Sequence, residues 1–97
     1  MQYNFEWDPR KASSNSRKHG ITFEEAVAVF KDPMALSLYE VDDSGPDEDR
    51  WVTLGLIDGQ HYLVVVHTYQ ASEHSTTIRI LSARRATRQE IKQYEQG

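Results

Sequence analysis

Around Asp32-Pro33 the apolar residues of this chain change their spacing, and that change restricts the fold more than any other feature. Before it, Phe23, Ala26, Val27 and Phe30 fall at i, i+3, i+4 and i+7, one face of a helix. From residue 35 onward the period is two, the pleat of a strand. Pro33 enforces the break, because it has no N–H for a continuing helix and its ring clashes with the preceding turn. Helices and strands held in separate stretches point to an α+β domain.

Local signals fill in the elements. Tyr3, Phe5 and Trp7 alternate with polar neighbours, so residues 2–7 read as a short strand. Asp8-Pro9 opens a first helix and Gly20 closes it, Asp as N-cap and Gly in the left-handed position. That helix has almost no apolar face beyond Ala12, which suits a surface or groove-lining element. Thr22 and Glu25 form a capping box for the core helix, with Ile21 and Ala26 as its hydrophobic staple.

Candidate strands follow at 35–41, 50–57, 60–69 and 76–83. An acidic loop at 42–49, holding Gly45-Pro46, separates the first two, and Asp58-Gly59 marks a hairpin between the next two. The continuous apolar run at 63–66 suits a central strand covered on both faces. After a polar connection at 70–75 and the last strand, Thr87 and Glu90 repeat the capping box, with Ala86 and Ile91 as staple, for a helix through Tyr94. The expected order is an N-terminal strand and two helices, a four-stranded antiparallel sheet and a C-terminal helix, one domain over 1–97.

Composition narrows the function. No run approaches the ~20 apolar residues of a membrane span, which leaves cytoplasmic residence and no membrane partner as the expectation. Without cysteine there is no thiol nucleophile, thiolate metal site or disulfide. The five glycines are isolated, so no phosphate-cradling loop is present. His19, His61, His67 and His74 are scattered without metal-ligand spacing, so nothing calls for a metal or other cofactor.

Charge is the telling feature. The formal net charge is −4, yet residues 10–19 hold four Lys or Arg and no acid, and residues 79–92 hold five against Glu90 alone. The two segments carry +8 and the rest of the chain −12, a distribution that can offer a basic pocket without a basic surface. Along 76–83, Ile78 and Ile80 share one face while Arg79 points to the other with Thr77 and Leu81. Arg84-Arg85 then leads into a helix N-terminus, which itself attracts phosphate. Lys, His and Arg together suit metal-free phosphodiester chemistry: a base for an RNA 2′-hydroxyl, an acid for the leaving oxygen and cations for the phosphorane. Imidazole, titrating near neutrality, is fit for the proton transfers. A basic face that docks a protein partner or DNA without catalysis is the other reading.

Several blocks in order resemble one family. Phe5-Glu6-Trp7-Asp8-Pro9, Lys11-Ala12, Asn15, Lys18-His19-Gly20 and Phe23-Glu24-Glu25-Ala26 form its N-terminal signature, continued by Phe30-x-Asp32-Pro33. Glu48-x-Arg50, Val64-Val65-Val66-His67-Thr68, Arg79-Ile80-x-Ser82-Ala83-Arg84 and Glu90-x-x-x-Tyr94 complete it. Nearly end to end, the chain resembles BrnT-type toxins of bacterial type II toxin–antitoxin systems. The resemblance implies a RelE-like ribonuclease fold and metal-independent RNA cleavage that inhibits translation. It also implies neutralisation by a BrnA-like ribbon-helix-helix antitoxin, with operator DNA met only through the complex. Lys18, His19, Arg79 and Arg84 are then the expected catalytic residues, and Arg50, Arg85, Lys11 and Asn15 the substrate-binding ones. Arg85 doubles a cation where the family usually has one, and the 42–49 loop is unusually acidic.

Overall fold

The computed structural model describes residues 2–40 and 49–97. Its elements are β1 (Gln2–Glu6), α1 (Pro9–His19), α2 (Phe23–Val27) running into a 3-10 turn (Ala28–Lys31), β2 (Leu36–Tyr39), β3 (Arg50–Ile57), β4 (His61–Ala71), β5 (Ser75–Arg85) and α3 (Arg88–Gln96). The acidic loop lies outside the described residues but for Asp49, and so does Val41 at the end of the expected first sheet strand.

The expected four-stranded antiparallel sheet is corrected to a five-stranded mixed one, ordered β1-β5-β4-β3-β2. Strands β2 to β5 form the antiparallel run. The N-terminal strand then joins it in parallel, Tyr3 opposite Thr76 and Phe5 opposite Ile78. A parallel partner this distant in sequence is announced by no turn signal, whereas the hairpin is announced by its own residues. Asp58 and Gly59 indeed both take positive φ, 53° and 66°.

The run at 63–66 sits in central β4, with Leu63, Val64 and Val65 buried. On one face Leu63, Val65, Ile78, Ile80 and Ala83 pack against Ile21, Phe23, Ala26 and Val29. The buried positions of the second helix are thus three apart, because after Val27 the helix tightens to a 3-10 turn, which repeats every three residues. Val27 and Phe30, expected on the same face, are only partly buried. This turn lies hard against β3: a Cβ on Gly55 would stand 2.8 Å from Val29 Cγ1.

Both capping boxes form as their sequences require, Thr22 with Glu25 and Thr87 with Glu90. Helix α3 is fastened by Tyr94, whose ring meets Tyr62 edge-on and whose hydroxyl donates to Asp32 Oδ2 at 2.7 Å. Asp32 also accepts from the backbone N–H of Leu56 (2.8 Å) and Met34 (2.9 Å), tying the 3-10 turn to β3. Burial pushes the Asp32 carboxyl up, but these hydrogen bonds outweigh it and hold it below its ordinary value. The same bond pushes Tyr94 up to about 12.

Candidate active site

In a regular strand, residues five apart face opposite ways, so Arg79 and Arg84 should lie on opposite sides of β5. They do not. The β4–β5 register slips so that Val66 faces Ser82 while His67 faces Ile80, leaving Leu81 as an extra residue in β5. Arg79 therefore lies opposite Thr68 and Arg84 opposite Val64, positions on β4 that share a face. Arg50 also lies opposite Thr68, from the other side. Arg50, Arg79 and Arg84 thus occupy the sheet face away from α1 and α2, with Arg50 and Arg79 about 10 Å apart across two strand spacings. Nothing in the sequence marks the bulge, which arises from how β4 and β5 fit together.

Arg79 and Arg84 each meet a carboxylate. Arg79 Nη1 donates to Glu6 Oε2 of β1 at 2.6 Å, a pairing set by the parallel register Glu6–Arg79. Arg84 donates from Nη1 and Nη2 to the two oxygens of Glu90 at 2.8 and 2.9 Å. The Arg84 hydrogen bonds, more than any other cause, bring the Glu90 carboxyl down to about 2, and in return Arg84 holds its proton more firmly. A guanidinium has five donors, so the fork on Glu90 leaves the Nε–Nη2 edge of Arg84 for a phosphate.

Lys18 and His19 end α1, where cations favour the helix C-terminus. They line a cleft of about 190 Å³ together with Lys11, Ser14 and Asn15 from the same helix and Leu81 and Ser82 from β5. The bulge residue and its neighbour thus bring the α1 cations beside the strand that carries Arg79 and Arg84. Ser82 was not among the candidate site residues, although it stands in the block Arg79-Ile80-x-Ser82-Ala83-Arg84.

Asn15 reaches this cleft as a buried residue whose amide makes three hydrogen bonds. Its Nδ2 donates to the carbonyls of Ala83 (2.9 Å) and Ile21 (3.1 Å), and its Oδ1 accepts from Ala83 N–H at 3.1 Å. It thereby locks α1 against β5. Arg85 stands apart from the other candidates: it is exposed, lies opposite Leu63 on the helix-covered side and places Nη1 3.3 Å from His61 Nδ1. Among the described residues no three His, Asp or Glu side chains could together hold a metal ion. Nor, among them, is any helix long and apolar enough to cross a membrane.

Residues 7–90 match the family described as ribonuclease toxin, BrnT, of type II toxin-antitoxin system. Among solved structures, the ribonuclease toxin BrnT of Brucella abortus is similar, with a TM-score of 0.64 at 21% identity. The alignment covers 91% of this chain and 100% of that one, and the likeness is one of fold. No curated protein matches the chain.

Proposed function

The chain belongs to the BrnT ribonuclease toxins of type II toxin–antitoxin systems, and on that footing we propose that it is a metal-independent endoribonuclease whose RNA cleavage inhibits translation. One arrangement supports this reading: Lys18 and His19 share a cleft with Ser82, on the strand whose bulge turns Arg79 and Arg84 to a common face. A 2′-hydroxyl beside the scissile phosphate attacks phosphorus, the O2′–P bond forms and the P–O5′ bond breaks. His19 and Lys18 carry the two proton transfers, from O2′ and to O5′. Arg79 and Arg84 hold the charge that builds on the phosphorane oxygens. Arg50 and Lys11 lie where flanking phosphates would run, while Asn15 holds α1 in place and Arg85 could meet the strand only beyond this face.

The family implies an antitoxin partner. We assign that partner to the BrnA-like ribbon-helix-helix proteins, with operator DNA reached only through the complex and the pair resident in the cytoplasm. The assignment is tested with antitoxin-free protein and single-stranded RNA in EDTA. RNA should be cut, and Arg79→Ala or Lys18→Ala should slow cutting on the order of 10²–10³-fold while thermal melting stays put. One observation favours a second reading: Arg79 and Arg84 already donate to carboxylates, as they would to those of an acidic partner segment. RNA left intact across pH and salt, by protein that still holds its antitoxin, would replace the enzyme with a non-enzymatic partner-binding module acting in transcriptional autoregulation.

A further inference from the structure

On the helix-covered side of the sheet, away from the arginines, a cavity of about 150 Å³ opens between the rings of Tyr3, Phe30 and Tyr69 and the hydroxyls of Ser37 and Thr53. That is the volume of about five water molecules, room for one planar ring. No lining side chain carries a charge. Two of the aromatic walls remain exposed, Tyr3 by 52% and Tyr69 by 39%, so the site opens to solvent through rings.

Behind the cavity runs a chain of hydrogen bonds. Ser37 Oγ lies 2.8 Å from Thr53 Oγ1, which lies 2.6 Å from Nε2 of the fully buried His67. The other imidazole nitrogen, Nδ1, has no partner. Burial, against a smaller contrary effect of the Thr68 backbone, pulls His67 down to about 4, so at neutral pH the ring carries a single proton. With the proton on Nε2 the ring donates to Thr53, and with the proton on Nδ1 it accepts from Thr53, so the tautomer sets the direction of the chain. In the Nε2 tautomer Thr53 donates to Ser37 Oγ, and the Ser37 proton is left for a ligand in the cavity. The chain thus ends in a hydroxyl that lines the cavity beside aromatic walls.

We propose that this cavity binds a single nucleobase, stacked on the tyrosine rings, with a carbonyl or ring nitrogen accepting from Ser37. Uncharged walls disfavour a phosphate or a charged side chain, and a phenyl or indole ring would offer Ser37 no acceptor. Stacking on aromatic side chains is available to every base. Two sources fit. A base of single-stranded RNA could reach it around β1, the edge strand that carries Glu6 on the arginine face and Tyr3 on the other, and this source rests on the ribonuclease reading. A free nucleoside could enter directly.

Amide chemical shifts of the full chain, titrated with each of the four nucleosides and with an uncleavable 2′-O-methyl trinucleotide, test the proposal. Shifts should centre on Ser37, Thr53 and Tyr69, and Ser37→Ala should weaken binding about five-fold or more. Tyr3→Ala, at an exposed position, should weaken it as well. Tighter binding of the trinucleotide identifies an RNA base as the occupant; equal binding identifies the free nucleoside. No shift at these residues with any nucleoside or trinucleotide overturns the proposal, as does affinity unchanged in both variants. Shifts produced only by the antitoxin also overturn it, making the cavity a protein contact. If RNA is still cut in those cases, the proposed function stands alone; nucleosides bound by protein that cuts no RNA would leave the cavity standing without it.

Discussion

Under α1 and α2 the sheet presents Leu63, Val65, Ile78, Ile80 and Ala83, all buried in one cluster. Its other face presents Arg50, Thr68, Arg79 and Arg84 across three strands. Strand β5 contributes to both sets, and the extra residue Leu81 lets it do so: Ile80 and Ala83 stay in the core although they are three apart. A substitution under the helices removes packing. Arg79 and Arg84 each leave 42% of their side chain exposed, so a substitution there removes charge more than packing. Stability and chemistry should therefore separate by face, even for neighbours on one strand.

That separation can be attacked in order of expected effect. The largest change belongs to the arginine face: Arg79→Ala should reduce RNA cleavage on the order of 10²–10³-fold while shifting stability by no more than about 0.5 kcal/mol. A melting transition that collapsed alongside activity would break the comparison there. Asn15→Ala should do both kinds of damage, since it leaves the Ala83 N–H and C=O without their partner. Urea unfolding should show a loss of about 2–4 kcal/mol.

Acid sensitivity should come from the covered side first. His67, held neutral by burial with its value near 4 against an ordinary 6.5, favours the fold fully above pH 6.5. That contribution, up to about 3 kcal/mol, fades as pH falls from 6.5 towards 4. His67→Gln should flatten stability over this window. Glu90, brought down to about 2 from 4.5, adds a second decline below pH 4.5, which Glu90→Gln should remove while keeping the α3 cap.

Smaller effects sharpen the picture of the covered side. Gly55→Ala would press a methyl into Val29 and should cost about 1–3 kcal/mol by urea unfolding, with cleavage by the folded fraction unchanged. Tyr94→Phe loses one hydrogen bond to Asp32 and should cost about 1 kcal/mol.

What could be read from the sequence was what is written locally. Both capping boxes, the Asp58-Gly59 turn, the Asp8 and Gly20 caps and the central apolar run depend on residues within a few positions of one another. The parallel seat of β1, the 3-10 turn after Val27 and the bulge at Leu81 depend on contacts across the chain. The site divides in the same way. Charge patterning located the two basic segments, but the place of Ser82 in the cleft and the pairing of Arg79 with Glu6 and of Arg84 with Glu90 follow from the tertiary structure.

Strand β1 covers β5 only as far as Arg79, and beyond that point the flank of β5 is met by a helix. At Ala83 the Asn15 amide gives one hydrogen bond and takes one, as the main chain of a sixth strand would. An unpaired strand flank is a template for foreign chains, the starting point of domain swapping and fibre growth. A single side-chain amide closes that template at Ala83, where a strand would have cost several more ordered residues. It does so without hiding the neighbouring surface, so the template at Ala83 is closed while Lys18, His19 and Ser82 still line an open cleft.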